Sequence, residues 1–161
     1  MKQSSAILLT FALAAAGSFA LADDMPVGRW RQIDDETGAA KSIVKIYQEN
    51  GVLNGRIVEL LKKPDAGKPS VCDRCEGELK DAPILGFPLL SGMKKEGSEW
   101  TGGTIIDPKN GKRYRAKMAL RDNGQKLEVR GFIGFSLFGR TQVWERVEAS
   151  PDSDGVERRV E

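Results

Sequence analysis

The sequence predicts an all-β protein, an up-and-down antiparallel barrel of about eight strands. Three observations lead there. Short runs alternate apolar and polar side chains with period two, as strands do when one face is enclosed and the other is wet. Tight-turn signals separate the runs, among them Asn50-Gly51, Asp107 to Gly111 and Asp122-Asn123-Gly124. The first and last runs also complement each other. Gly28-Arg29-Trp30 opens one and Trp144-Glu145-Arg146 closes the other, so pairing them would close the sheet and remove its edges. A β-sandwich ranks second, because its crossovers need more long connections than the single one present. No stretch carries a useful helical period.

The elements follow in order. Strand one covers roughly Val27 to Ile33 and ends in the acidic turn Asp34 to Gly38. Strand two, Lys41 to Gln48, is rich in Ile, Val and Tyr and turns at Asn50-Gly51. Strand three, Val52 to Leu60, sets Leu53, Gly55 and Ile57 against Asn54 and Arg56. The long connection Leu61 to Ala82 follows, and loops of that length are usually functional or mobile. Ile84 to Met93 is apolar but broken by Gly86, Pro88 and Gly92, and reads as an irregular, edge-like strand before a turn at Lys94 to Ser98. Strand five, Glu99 to Ile106, contains Gly102-Gly103, the mark of a bend or bulge. Strand six sets Tyr114, Ala116, Met118 and Leu120 against Arg113, Arg115 and Lys117. Strand seven sets Leu127, Val129 and Gly131 against Lys126, Glu128 and Arg130. The uncharged apolar stretch Phe132 to Phe138 leads into strand eight, where Gln142, Trp144 and Arg146 share a face.

Composition bounds the setting. Lys2, the apolar run Ala6 to Ala16 and the small-x-small site Ala20-Leu21-Ala22 predict a signal peptide over residues 1–22, cleaved near Ala22. The expected destination is the periplasm or the medium. Residues 23–147 then form a single barrel domain and 148–161 a polar C-terminal tail. Charges of the two signs nearly balance, which gives no push towards nucleic acid or an anionic membrane. No further segment is long and apolar enough to span a membrane. The chain has no histidine, so Ser-His-Asp and Cys-His catalysis and imidazole-bound zinc are excluded. Asp34-Asp35-Glu36 and Asp107 could bind a hard cation or supply an acid/base pair but read better as turn-forming, solubilising residues, so no cofactor, metal or enzymatic activity is expected.

Cys72-Asp73-Arg74-Cys75 supports several readings. In an oxidising compartment the pair forms a structural disulfide that stiffens the long loop. The alternative is a redox pair with Arg74 lowering a thiol pKa, although no βαβ unit follows it.

Two resemblances rest on these residues. Gly28-Arg29-Trp30 resembles the Gly-x-Trp motif that opens the first strand of lipocalins and related calycin barrels. In those families an arginine near the end of the last strand packs across the tryptophan, and Arg146 matches it in position. The wider order covers nearly the whole exported chain. It runs from Gly-Arg-Trp through Cys-x-x-Cys and Pro-Ile-Leu-Gly to Gly-Phe-x-Gly-x-Ser-Leu-Phe-Gly-Arg-Thr-Gln-x-Trp, and is similar to a family of exported bacterial proteins known only as a domain of unknown function. The resemblance implies export and a lipocalin-like barrel, and brings no reaction with it. The short first loop and the lack of an amphipathic helix after Arg146 depart from true lipocalins.

In an up-and-down barrel the loops after strands one, three, five and seven share a rim. That gathers Asp34 to Gly38, the cysteine loop, Asp107 to Gly111 and Phe132 to Phe138 around one mouth. Candidate ligand-contacting residues are Trp100, Phe132, Phe135, Leu137, Phe138 and Arg140. The apolar four among the last group either form a greasy portal or plug the barrel as core. Gly28, Trp30, Trp144 and Arg146 are structural. The expected function is that of an exported lipocalin-like binding protein for a small, largely apolar ligand such as a fatty acid or other lipid. The alternatives are an envelope structural or protein-interaction module with a plugged barrel, and a thiol–disulfide protein using Cys72 and Cys75.

Overall fold

A computed structural model describes residues 24–61 and 70–148. The expected signal peptide, residues 62–69 of the long connection and the tail beyond Glu148 lie outside the described residues. Eight strands run in sequence: β1 (Gly28–Ile33), β2 (Ala40–Glu49), β3 (Val52–Leu60), β4 (Pro88–Glu96), β5 (Glu99–Asp107), β6 (Lys112–Arg121), β7 (Lys126–Phe132) and β8 (Gly139–Val147). Each pairs antiparallel with the next, and β8 returns to β1, so the sheet is a closed up-and-down barrel. Closure rules out the sandwich. Among the described residues the only helical turn is Gly77–Leu79, in the long connection.

The turn chemistry works as the sequence implies. Asn50 and Gly51 both take positive φ, 50° and 77°, the backbone of a two-residue hairpin that continues the twist of its strands. One expectation is corrected. Ile84 to Met93 is irregular, its pairing with β3 shifting register twice, but it is not an edge. The strand begins at Pro88, runs through Lys94–Glu96, and lies between β3 and β5. Pro88 is tolerated because it stands first in the strand, where a missing N–H costs least. Gly103 faces β4 so closely that a Cβ there would sit 2.3 Å from Met93 Sδ and 2.4 Å from the Ser91 carbonyl oxygen. Without that glycine the two strands could not coil together.

One end of the barrel is solid. Trp30, Val44, Ile46, Leu53, Leu90, Met93, Trp100, Met118, Leu127 and Trp144 pack there, all buried. The Trp30 indole donates to the Pro26 carbonyl at 2.8 Å, which folds the segment before β1 under the floor. The Arg146 guanidinium stacks on Trp30 at 4.3 Å. It also donates to three carbonyls, Gly124 at 2.6 Å, Val27 at 3.0 Å and Met25 at 3.1 Å. A Cβ on Gly28 would stand 3.0 Å from that guanidinium, at a φ of 133°, which is why glycine precedes the tryptophan pair of positions.

The closing seam is short. β1 and β8 share three paired positions, Arg29↔Val147, Trp30↔Arg146 and Arg31↔Glu145, against seven between β7 and β8. Arg146 therefore reinforces one of the two shortest ladders in the barrel. Replacing Arg146 with Met should lower the unfolding free energy by about 2–4 kcal/mol, since charge-assisted bonds to otherwise unpaired carbonyls and a shielded cation–π contact are lost together. Arg146→Lys should recover less than half, because an ammonium cannot stack and fork at once. Urea denaturation reads both, and a loss below about 0.5 kcal/mol for the Met variant would refute the clamp.

Candidate functional site

The opposite end of the barrel is a cup. Every strand lends side chains to it, and so do the loops after β3, β5 and β7. Its volume is about 970 Å³. The wall made by β3, β4, β5 and β7 is apolar, with Ile57, Leu89, Ile105, Ile106 and Val129. The wall made by β8, β1 and β2 is polar, with Arg140, Gln142, Gln32 and Ser42.

The long connection builds part of this wall. Val71 and Pro83 form an isolated bridge, and Ile84 N donates to the Ser70 carbonyl at 2.8 Å. Cys72 and Cys75 are joined as a disulfide, S–S 2.02 Å, and both are buried. The Arg74 carbonyl lies 1.9 Å from where a Cβ on Gly111 would stand, so the cysteine loop seats directly on the β5–β6 turn. Val71, Asp73 and Ile84 thereby face the cup.

The polar wall is one connected chain of hydrogen bonds. Ser42 Oγ donates to Gln32 Oε1 at 2.9 Å, and Gln32 Nε2 donates to Gln142 Oε1 at 3.2 Å. Trp144 Nε1 donates to the same Gln142 Oε1 at 3.1 Å, and Gln142 Nε2 donates to Asp35 Oδ1 at 3.2 Å. An indole can only donate and a carboxylate can only accept, so the two ends dictate which way each amide points. Both amide oxygens are occupied. Each NH₂ group keeps one proton beyond these bonds, and both glutamines line the cup. The wall therefore offers N–H donors to whatever enters.

The rim is charged but internally paired. Arg140 grips Asp35 through Nε and, at 2.5 Å, through Nη2, and reaches Glu36 at 3.4 Å. Asp34 is buried under Lys109 at 3.4 Å and Lys41 at 3.6 Å. Burial opposes its ionisation, but the backbone N–H groups of Thr37 and Glu36, the Thr37 hydroxyl and Lys109 outweigh it and hold the carboxyl far below the usual carboxylate range. The Arg140 contact also lowers the pKa of Asp35. These acids are spent on structure. Among the described residues no group of three or more His, Cys, Asp or Glu could hold a metal ion.

The six candidate residues separate. Phe132, Phe138 and Arg140 line the cup. Phe135 and Leu137 project into solvent and do not line it, and Phe138 is exposed as well, so the segment does not fill the barrel as core. Trp100 sits in the packed core away from the cup, paired across to Met118 and covered by Lys95 at 5.4 Å from its ring. Gln32, Ser42 and Gln142 were not singled out from the sequence. The available signal was spacing, since Gln32 follows Trp30 and Gln142 precedes Trp144 by two, which puts both on the enclosed face.

The depressed Asp34 carboxyl sets a pH dependence. A carboxyl held low in the folded state adds stability above its ordinary value of 3.8, and that stability is lost as pH falls through the folded-state value. Asp34→Asn should be less stable than the wild type at neutral pH, and the gap should shrink only below 3.8. Thermal melts of both proteins across an acid series check this, and a gap independent of pH would contradict it.

Comparison with known proteins agrees with this geometry. The family model described as "Uncharacterized protein conserved in bacteria (DUF2147)" matches residues 28–146. A solved structure, protein HP1028 from the human pathogen Helicobacter pylori, described as belonging to the lipocalin family, is similar with a TM-score of 0.65. The two share 20% identity over 77% of this chain and 84% of that one, a likeness of fold alone. No curated protein matches the sequence. The family match spans Gly28, which makes room for the clamp, to Arg146, which forms it, and the chain belongs to that bacterial family, DUF2147, built here on a lipocalin-like eight-stranded barrel.

Proposed function

We propose that the protein is an exported, non-catalytic carrier that holds one small, largely apolar molecule in the cup. The observation that carries the reading is the cup itself, walled on one side by Ile57, Leu89, Ile105, Ile106 and Val129 and on the other by oriented amides. Small-molecule sites have volumes of roughly 300–1,000 Å³ and combine apolar lining with few polar groups, and this one fits. The favoured ligand has a hydrocarbon body and a hydrogen-bond acceptor, as the carbonyl of a fatty acid or lipid ester has. The body rests against β3–β7 and the acceptor meets the free protons of Gln32 and Gln142. Export rests on the signal-like residues 1–22 and on the disulfide, which suits an oxidising compartment.

The thiol–disulfide alternative is weakened by burial of both sulfurs, because exchange needs a sulfur that an attacking thiolate can reach. A plugged interaction module is disfavoured by the outward Phe135 and Leu137.

Mass analysis of gently purified protein, followed by solvent extraction, should release a lipid at near one-to-one occupancy. In parallel, N-phenyl-1-naphthylamine should bind saturably and be displaced by dodecan-2-one more effectively than by dodecane, by about three- to tenfold, the worth of one hydrogen bond. Leu60→Trp, which narrows the cup, should weaken the probe by about tenfold or more. No released molecule together with no saturable probe binding would sink the carrier reading. Equal displacement by ketone and alkane would sink only the acceptor preference.

A further inference from the structure

We propose that the loop between β7 and β8 docks the mouth of the barrel on an anionic lipid surface. Four large apolar side chains crowd into six residues there with little cover: Ile133 is 63% exposed, Phe135 80%, Leu137 84% and Phe138 75%. Exposed apolar side chains scattered singly need no explanation, but a contiguous tip of them marks a contact surface.

The carbonyls of this loop are covered by protein donors. The Gly134 carbonyl accepts from Arg115 Nη1 at 3.3 Å, and the Phe135 carbonyl from Phe138 N at 3.1 Å. Arg130 donates to the Ser136 carbonyl at 2.7 Å and to the Leu137 carbonyl at 3.2 Å. The Phe138 carbonyl accepts from Ile133 N at 3.3 Å. Every carbonyl from Gly134 to Phe138 thus has a protein donor. Carbonyls already paired within the protein lose less when the loop leaves water for a lipid interface.

The charge beneath the tip matches the same surface. Arg113 and Arg115 on β6 and Arg130 on β7 stand just below the loop, and none of the three has a carboxylate partner among the described residues. The acids of the neighbouring loop, Asp35 and Glu36, are already engaged by Arg140. Apolar side chains with a cationic collar are what binds an interface carrying anionic headgroups. A protein partner fits less well. A standard protein interface engages some 20–30 residues a side, whereas this tip is convex and a single loop wide. Ile133 and Phe138 also line the cup, so docking would set its mouth against the lipid. The proposal does not depend on what the cup binds.

The test is co-sedimentation with vesicles of phosphatidylglycerol and phosphatidylethanolamine, and with vesicles of phosphatidylcholine alone. Protein recovered from expressing cells, its N-terminus read by mass, is compared with Phe135→Ser/Leu137→Ser in the same form, so that any contribution of the N-terminal segment is common to both. Neither substituted residue lines the cup or is buried, so the fold should be unchanged by circular dichroism. The wild type should sediment with the anionic vesicles, less with the neutral ones, and less as salt rises. The double variant should lose about tenfold or more of its partitioning. Equal sedimentation of wild type and variant would overturn the proposal. So would a wild type that ignores both vesicles, and if that protein self-associates while the variant does not, the tip belongs to a second copy of the chain.

Discussion

The barrel depends on how its two ends of chain are fastened. Strands that meet along only three paired positions would close a sheet weakly, yet this closure sits on the best-packed floor of the molecule. The Arg146 guanidinium achieves that by doing three things at once. It covers the face of Trp30, it binds carbonyls from the segment before β1, and it binds the β6–β7 turn at Gly124. Gly28 gives up a side chain to leave it room. Because the floor is solid and fastened, the other end is free to stay hollow.

Floor and cup are joined through Trp144. Its ring belongs to the core, and its N–H is the first donor of the chain that runs through Gln142 to Asp35 at the rim. A core residue thereby sets the orientation of the polar wall. Among the described residues no buried side-chain nitrogen or oxygen lacks a partner, so the protein's own groups hold the amides of the cup in place. Preorganisation of this kind lowers the ordering cost of binding.

Much of the architecture was legible in the sequence because it rests on local rules. Alternation marked the enclosed faces of β6, β7 and β8, positive-φ turns marked the hairpins, and Gly28, Trp30 and Arg146 marked the closure. Register was not legible. Trp100 beside two glycines suits a cavity wall, but the irregular pairing around Gly103 carries it into the floor. Pro88 and Gly92 suggest an edge, yet tertiary pairing on both sides overrides that weak preference. Phe135 and Leu137 have the composition of core residues, and only the structure shows that they project outward from the mouth. The glutamines escaped notice because a polar residue on an inward position is informative only when the strand's end is known to border a cavity.

The ladder between β1 and β8 stops at Arg31 and Glu145, which is where the cup begins. Above that level the two strands are bridged by Gln32 with Gln142 and by Asp35 with Arg140, side chain to side chain. A backbone ladder fixes a barrel's circumference in steps of whole strands, but side-chain bridges lengthen or exchange partners by rotation about single bonds. The girth of the mouth is therefore adjustable where that of the floor is not. The seam at the mouth thus rests on four side chains, Gln32, Gln142, Asp35 and Arg140, and the base rests on backbone pairing.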